Sequence, residues 1–228
     1  MKLLLTNDDG IAAPGIQALY EAALSIGAPV IAAPAEALSG CSHRVTTHAP
    51  IQVVEGVPGR WTVHGTPADC VRLALHNLAP DAAWVLSGIN AGGNLGADVY
   101  ISGTVAAVRE GALHGKPGIA VSHYLKRGMP VDWHWAATVL VPILLDLTKR
   151  PVTPGAFWNI NLPHLEPGTP LPEVVHCPLD PEPLPLSFRL DELGHVYDGN
   201  YHQRPRRPGS DVDLCFQGKI AVTELRLF

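Results

Sequence analysis

Positive charge is scarce in this chain. Of 228 residues, 16 are Lys or Arg against 21 Asp or Glu, a formal net charge of −5. A nucleic acid polymer or an anionic membrane therefore finds no broad electrostatic attraction here. The one basic cluster, Arg204, Arg206 and Arg207, is broken by prolines and is expected to be a solvated loop. Cysteine is equally thin. Cys41, Cys70, Cys177 and Cys215 stand far apart with no C-x-x-C pair, which excludes zinc-finger and thioredoxin-like chemistry. Cys70 falls in an apolar helical pattern and is expected in the core. The longest largely apolar stretch, Ala136–Leu145, is too short to span a bilayer. No basic segment followed by an apolar one opens the chain, so a cytoplasmic location is expected.

Several catalytic devices are missing too. There is no G-x-x-x-x-G-K-[ST] phosphate loop and no G-x-S-x-G nucleophile elbow. No two of the 11 histidines are four residues apart, which removes a helical two-His zinc site. The glycines Gly88, Gly92, Gly93 and Gly96 do not fit the dinucleotide fingerprint and follow a late strand rather than the first, so hydride transfer is not expected.

What is present is a folded α/β pattern. Hydrophobic residues make up 46% of the chain and charged ones 16%, a globular composition. Strand signals over Lys2–Thr6, Pro29–Ala33, Ala82–Ile89, Gly118–His123 and Phe157–Leu162 alternate with helix signals over Gly15–Ile26, Thr66–Leu78, Thr104–His114 and Trp133–Lys149. Thr66-Pro67-Ala68-Asp69 has the composition of a capping box. Ile51–Val54 and Trp61–Val63 flank a Gly-Val-Pro-Gly turn as a strand pair. This order predicts a Rossmann-like, doubly wound, mostly parallel sheet over residues 1–163. Prolines are dense from Pro163 to Pro185, and within a C-terminal extension over 164–228 Glu173–Cys177 and Lys219–Leu227 are expected as strands of hairpins. That extension is too small to stand alone and is expected to pack on the core or on another subunit.

The chemistry-bearing residues are oxygen-rich. Asp8 and Asp9 sit side by side at the end of the first strand, in Asn7-Asp8-Asp9-Gly10. Adjacent carboxylates repel, and a cation between them relieves the repulsion. Both can face one ion only if the chain turns, which Gly10 permits. A solvated acidic turn is the alternative for such a motif taken alone. Open α/β sheets, however, bind ligands beyond the carboxyl ends of their strands. At that same edge lie Ser39, after the second strand, and Asn90, in a glycine-rich loop. Asp8, Asp9, Ser39 and Asn90 together form a hard donor set suited to Mg²⁺ or Mn²⁺ rather than zinc. The loop leads into a helix through Ser102-Gly103-Thr104, whose free N–H groups and dipole suit a phosphate; a simple capped turn is the other reading.

These segments resemble a known family. Leu4-Leu5-Thr6-Asn7-Asp8-Asp9-Gly10, Ser39-Gly40-Cys41-Ser42, Gly65-Thr66-Pro67-Ala68-Asp69, Ser87-Gly88-Ile89-Asn90-Ala91-Gly92 and Ser102-Gly103-Thr104-Val105 appear in the order found in the SurE family of metal-dependent nucleotidases. The resemblance implies a Rossmann-like core and hydrolysis of nucleoside 5′- and 3′-monophosphates, with some activity on short polyphosphate. It also implies a divalent metal held by Asp8, Asp9, Ser39 and Asn90, with Asn94, Ser102, Gly103 and Thr104 near the phosphate. Homodimers or homotetramers built through the C-terminal extension follow from it as well. The chain departs from the family pattern at Ile101, where tyrosine is usual, and at Ala37 and His43 in a loop that is commonly more polar. The expected enzyme is a phosphomonoesterase in which Asp8 or Asp9 orients or deprotonates a water. His43 and His114 are candidates for the leaving-group acid by location only. Two rivals stay open: a phosphatase working through an aspartyl-phosphate, and a nucleotide sensor without turnover.

Overall fold

The computed structural model describes residues 1–228. The core strands are β1 (Lys2–Thr6), β2 (Ala28–Pro34), β3 (Val53–Glu55), β4 (Arg60–Val63), β5 (Trp84–Ala91), β6 (Gly118–His123) and β7 (Ala156–Leu162). Between them run helices α1 (Pro14–Ala23), α2 (Pro67–Leu73), α3 (Gly103–Leu113) and α4 (Trp133–Leu147). The extension adds β8 (Val174–His176), β9 (Phe188–Asp191), β10 (Gly194–Tyr197), α5 (Asp211–Phe216) and β11 (Ile220–Arg226).

Nine strands form one sheet in the order β3-β4-β2-β1-β5-β6-β7-β11-β8. Every pairing is parallel except β3 with β4 and β11 with β7. Leu3, Leu4 and Leu5 show why β1 is central. All three are fully buried, and their alternation sends Leu3 and Leu5 into one hydrophobic layer and Leu4 into the other. The first layer packs under α1 and α4, the second under α2 and α3, so the sheet is covered on both faces. The doubly wound α/β expectation is borne out. No helix is long and apolar enough to cross a membrane.

The capping box is real. Thr66 Oγ1 accepts the Asp69 N–H at 3.2 Å, and Asp69 Oδ2 accepts the Thr66 N–H at 3.0 Å. The extension, by contrast, needs correcting in detail. The segments expected as hairpin strands are β8 and β11, and they join the main sheet rather than each other's hairpin: β11 lies between β7 and β8. The actual hairpin is β9–β10, joined through Glu192-Leu193. It has no Asn-Gly or Asp-Gly turn and only short, mostly exposed strands, so it carries little strand signal.

Chain order reverses direction at β1. From β1 the chain crosses outward to β2, then returns to β5 on β1's other side. The crevice beyond the carboxyl ends of β1 and β5 is thus the topological switch point, the favoured ligand position in such sheets.

Candidate active site

The turn after β1 closes on itself. Buried Asn7 donates its Nδ2 hydrogen to the Gly10 carbonyl at 2.8 Å, and Gly10 adopts φ +95°. A side chain at Gly10 would also meet the Glu36 backbone at 3.2 Å. This folded turn brings Asp8 inward, where it is 4% exposed. Its carbonyl accepts the Leu38 N–H at 2.7 Å, pinning the loop that carries Ser39. Its Oδ1 accepts the hydroxyl of Thr104. Burial, reinforced by the nearby Asp9 charge, pushes the Asp8 carboxyl up to about 6 despite the Thr104 hydrogen bond. Asp9 is half-buried, and its Oδ2 accepts the Ala91 N–H at 3.0 Å. Neither carboxylate forms an ion pair with a protein cation.

From β5 the register with β6 shifts between Ser87 and Asn90. The irregularity re-aims the strand end, as bulges do. The Asn90 Nδ2 donates to the Gly92 carbonyl at 2.8 Å, which leaves the amide oxygen as its open acceptor. At the start of α3, Ser102 caps the helix, its Oγ accepting the Val105 N–H at 3.1 Å. A Cβ on Gly103 would lie 2.8 Å from Cys41 Sγ and 2.9 Å from Asp8 Cβ. Glycine is therefore what lets the helix N-terminus press against Asp8.

A cleft of about 250 Å³ results, lined by Asp8, Ser39, Asn90, Asn94, Asp98 and Ser102, with Tyr201 at its side. The structure thus gathers five of the sequence-predicted residues around one space. Asp9 is held against the Asn90 loop, while Gly103 and Thr104 sit behind Asp8. Thr104 is fully buried and spends its hydroxyl on the Asp8 carboxylate. Asn94 is fixed by a buried network: its N–H reaches Asn161 Oδ1 at 2.8 Å and its Nδ2 reaches Ser122 Oγ at 2.7 Å. His43 and His114 lie elsewhere. Both pair with Glu110, at 2.7 and 2.9 Å, and neither lines the cleft.

The donor set fits a divalent cation. Asp98, the further carboxylate lining the cleft, is paired with Arg204, which leaves Asp8 and Asp9 as the carboxylates without a protein cation, beside neutral oxygens. A buried carboxylate with a like charge beside it and no protein cation is costly. A hard ion held by Asp8, Asp9, Ser39 and the Asn90 amide oxygen would offset that cost.

One predicted surface feature is overturned. Arg204, expected in a solvated loop, is 1% exposed and reaches across the fold to the glycine-rich loop. Its Nη1 donates to Asp98 Oδ2 at 2.9 Å and to the Leu95 carbonyl at 3.2 Å, while the Tyr201 hydroxyl donates to the same Asp98 oxygen at 2.6 Å. Asp211, also buried, accepts the Gly96 N–H at 2.8 Å. These supports come from more than 100 residues away, so nothing local in the sequence marked them.

Residues 3–178 match the family described as Survival protein SurE. A protein of Nostoc sp., provisionally named a 5′-nucleotidase, is 52% identical over 227 residues and the alignment spans all of both chains. The 5′-nucleotidase SurE of Moorella thermoacetica is 37% identical, covering all of this chain and 90% of that one. Among solved structures, the SurE protein of Aquifex aeolicus superposes with a TM-score of 0.88 at 31% identity, over all of this chain and 94% of its own. Family match, relatives and fold agree with the motifs at the switch point: the chain belongs to the SurE family.

Proposed function

We propose that this chain is a cytoplasmic, divalent-metal-dependent phosphomonoesterase that hydrolyses nucleoside 5′- and 3′-monophosphates to nucleoside and phosphate. The observation that carries the proposal is Asp8: a buried carboxylate beside Asp9, without a protein cation, facing a cleft at the switch point. The 5′-nucleotidase names borne by full-length relatives support the substrate class.

Asp8, Asp9, Ser39 and Asn90 would hold Mg²⁺ or Mn²⁺. Such an ion polarises a phosphoryl oxygen and lowers the pKa of a bound water. Asp8 or Asp9 would orient the attacking water or take its proton. Thr104 fixes the Asp8 carboxylate through its hydroxyl. The phosphate is received at the N-terminus of α3, where the Gly103 N–H has no intrahelical acceptor and Ser102 retains a hydroxyl proton to donate. Asn94, locked by its own network, supplies a preorganised polar group at the same wall.

The extension serves assembly in this proposal, building a homodimer or homotetramer. Leu190 is 74% exposed and Leu193 fully so on the β9–β10 hairpin, an apolar display that a monomer gains nothing from.

Chelation is the direct test. Phosphate release from nucleoside monophosphates should cease in EDTA and return with Mn²⁺ or Mg²⁺. Full activity in excess chelator would remove the metal from the proposal, and no release under any metal would leave a nucleotide-binding module.

A further inference from the structure

The loop from 35 to 46 has two working faces. It is pinned at Leu38 to the Asp8 carbonyl, and at Ser42, whose N–H donates to the Ile101 carbonyl at 3.1 Å. Farther on, the Arg44 carbonyl accepts the Thr66 hydroxyl at 2.6 Å, and Thr46 gives its N–H and hydroxyl to Asp69 at 2.8 and 2.7 Å. One face presents Ser39 and Gly40 to the Asp8 cleft. The other walls a second cavity, also about 250 Å³, beyond the carboxyl ends of β2 and β4. Glu36, Leu38, Arg44 and Thr46 line it from the loop, with His64 and Thr66 opposite.

Three features mark this cavity as a ligand site rather than a gap. It lies on the same sheet edge as the Asp8 cleft, one strand farther out, because β2 pairs directly with β1. Glu36 and Arg44 are both exposed and neither is engaged in an ion pair, so their charges are unspent. Glu36 also stands two residues beyond the end of β2. In dinucleotide-binding sheets, whose glycine fingerprint this chain lacks, an acidic side chain near the end of the second strand accepts hydrogen bonds from the ribose hydroxyls.

We propose that this second cavity receives the nucleoside half of the substrate, Glu36 accepting from the ribose hydroxyls while the planar groups of Arg44 and His64 flank the base. Planar cationic and aromatic side chains stack on bases without needing their sequence identity, so tolerance among bases follows. The inference rests on the nucleotidase reading but is separable from it. It makes Glu36 and Arg44 specificity residues that do not touch the reacting phosphate.

Two measurements test it on the full chain. Calorimetric titration of adenosine, which carries no phosphate, should show binding to the metal-free protein, weakened on the order of tenfold by Glu36→Ala or Arg44→Ala. 2′-Deoxyadenosine should bind the wild type more weakly than adenosine, and Glu36→Ala should erase that difference. Kinetically, the ratio of kcat/KM for AMP to that for p-nitrophenyl phosphate should fall about tenfold in Glu36→Ala, through KM for AMP. Glu36→Gln, retaining one acceptor oxygen, should fall between the two. Undetectable adenosine binding, binding indifferent to both substitutions, or an unchanged substrate ratio would each overturn the proposal. Should the wild type hydrolyse neither ester, the phosphatase reading fails, while the adenosine titration still decides the cavity.

Discussion

Two buried carboxylates flank the same cleft and live by opposite rules. Asp98 is 7% exposed and fully provided for: the Arg204 guanidinium at 2.9 Å, the Tyr201 hydroxyl at 2.6 Å and the Leu95 N–H at 3.3 Å all converge on one oxygen. Asp8, at 4%, has a hydroxyl and backbone partners, but its charged neighbour is another carboxylate. A buried ion pair whose charges cancel within the chain is scaffolding, because nothing further needs to arrive. A buried carboxylate left uncompensated is stable only in the company of a cation or a proton. The difference assigns structure to one side of the cleft and chemistry to the other.

The sharpest way to break that contrast is the same chemical change made twice. Asp98→Asn, or Arg204→Leu on the other partner, should destabilise the fold by about 3–5 kcal/mol, since either leaves a buried charge without its counterpart. The Arg204 Nε and Nη2 already lack partners, which leaves little to absorb the loss. Asp8→Asn should do the reverse and stabilise the metal-free protein. Denaturant melts of the three variants check both signs, and destabilisation by Asp8→Asn comparable to that by Asp98→Asn would erase the distinction.

Acidity sharpens it further. The Asp8 carboxyl stands at about 6 in the fold against its ordinary 3.8. The protonated form is favoured by folding, so its contribution is fully present below pH 3.8 and is lost as pH rises through about 6. His123 works against this. Burial lowers it from 6.5 to about 4, so its contribution is present above pH 6.5 and lost as pH falls through about 4. The two overlap in the wild type, and the variant separates them. The stability advantage of metal-free Asp8→Asn should grow from near zero below pH 4 to at most about 3 kcal/mol above pH 6. A pH-independent difference would show that folding does not raise the Asp8 carboxyl.

The smallest effect on folding belongs to the hairpin. Leu190→Ser with Leu193→Ser should change unfolding free energy by within about 0.5 kcal/mol, as for other exposed positions. It should nevertheless lower the mass measured by light scattering. A full-length protein that is monomeric before substitution would contradict assembly through this segment.

How much was legible in the sequence follows the range of each interaction. The turn at Asn7-Asp8-Asp9-Gly10 and the capping box at Thr66 and Asp69 close within three residues, so their residue types announce them. The β-α alternation announced the sheet for the same reason. Arg204 could not be read this way. Its partners lie 106 and 109 residues back, and Arg-Pro-Arg-Arg has the look of solvated loop until the fold delivers it to Asp98. Thr104 shows a subtler case. Its place at the helix start was evident, but that its hydroxyl serves Asp8 depends on how closely Gly103 lets α3 approach. The β8 and β11 segments were recognisable as strands, yet their partners were not, because β-pairing is non-local and their apolar pattern suits either neighbour.

The central claim is that Asp8 is a carboxylate awaiting a metal. It is tested most directly by Mn²⁺-dependent thermal melting and turnover of the wild type and Asp8→Asn side by side. The wild type should gain melting temperature with Mn²⁺ and release phosphate from AMP. Asp8→Asn should stay folded, lose the Mn²⁺-dependent shift and fall in kcat by on the order of a hundredfold or more, the scale of losing one preorganised electrostatic group. A folded Asp8→Asn with unchanged turnover and an unchanged Mn²⁺ shift would contradict it.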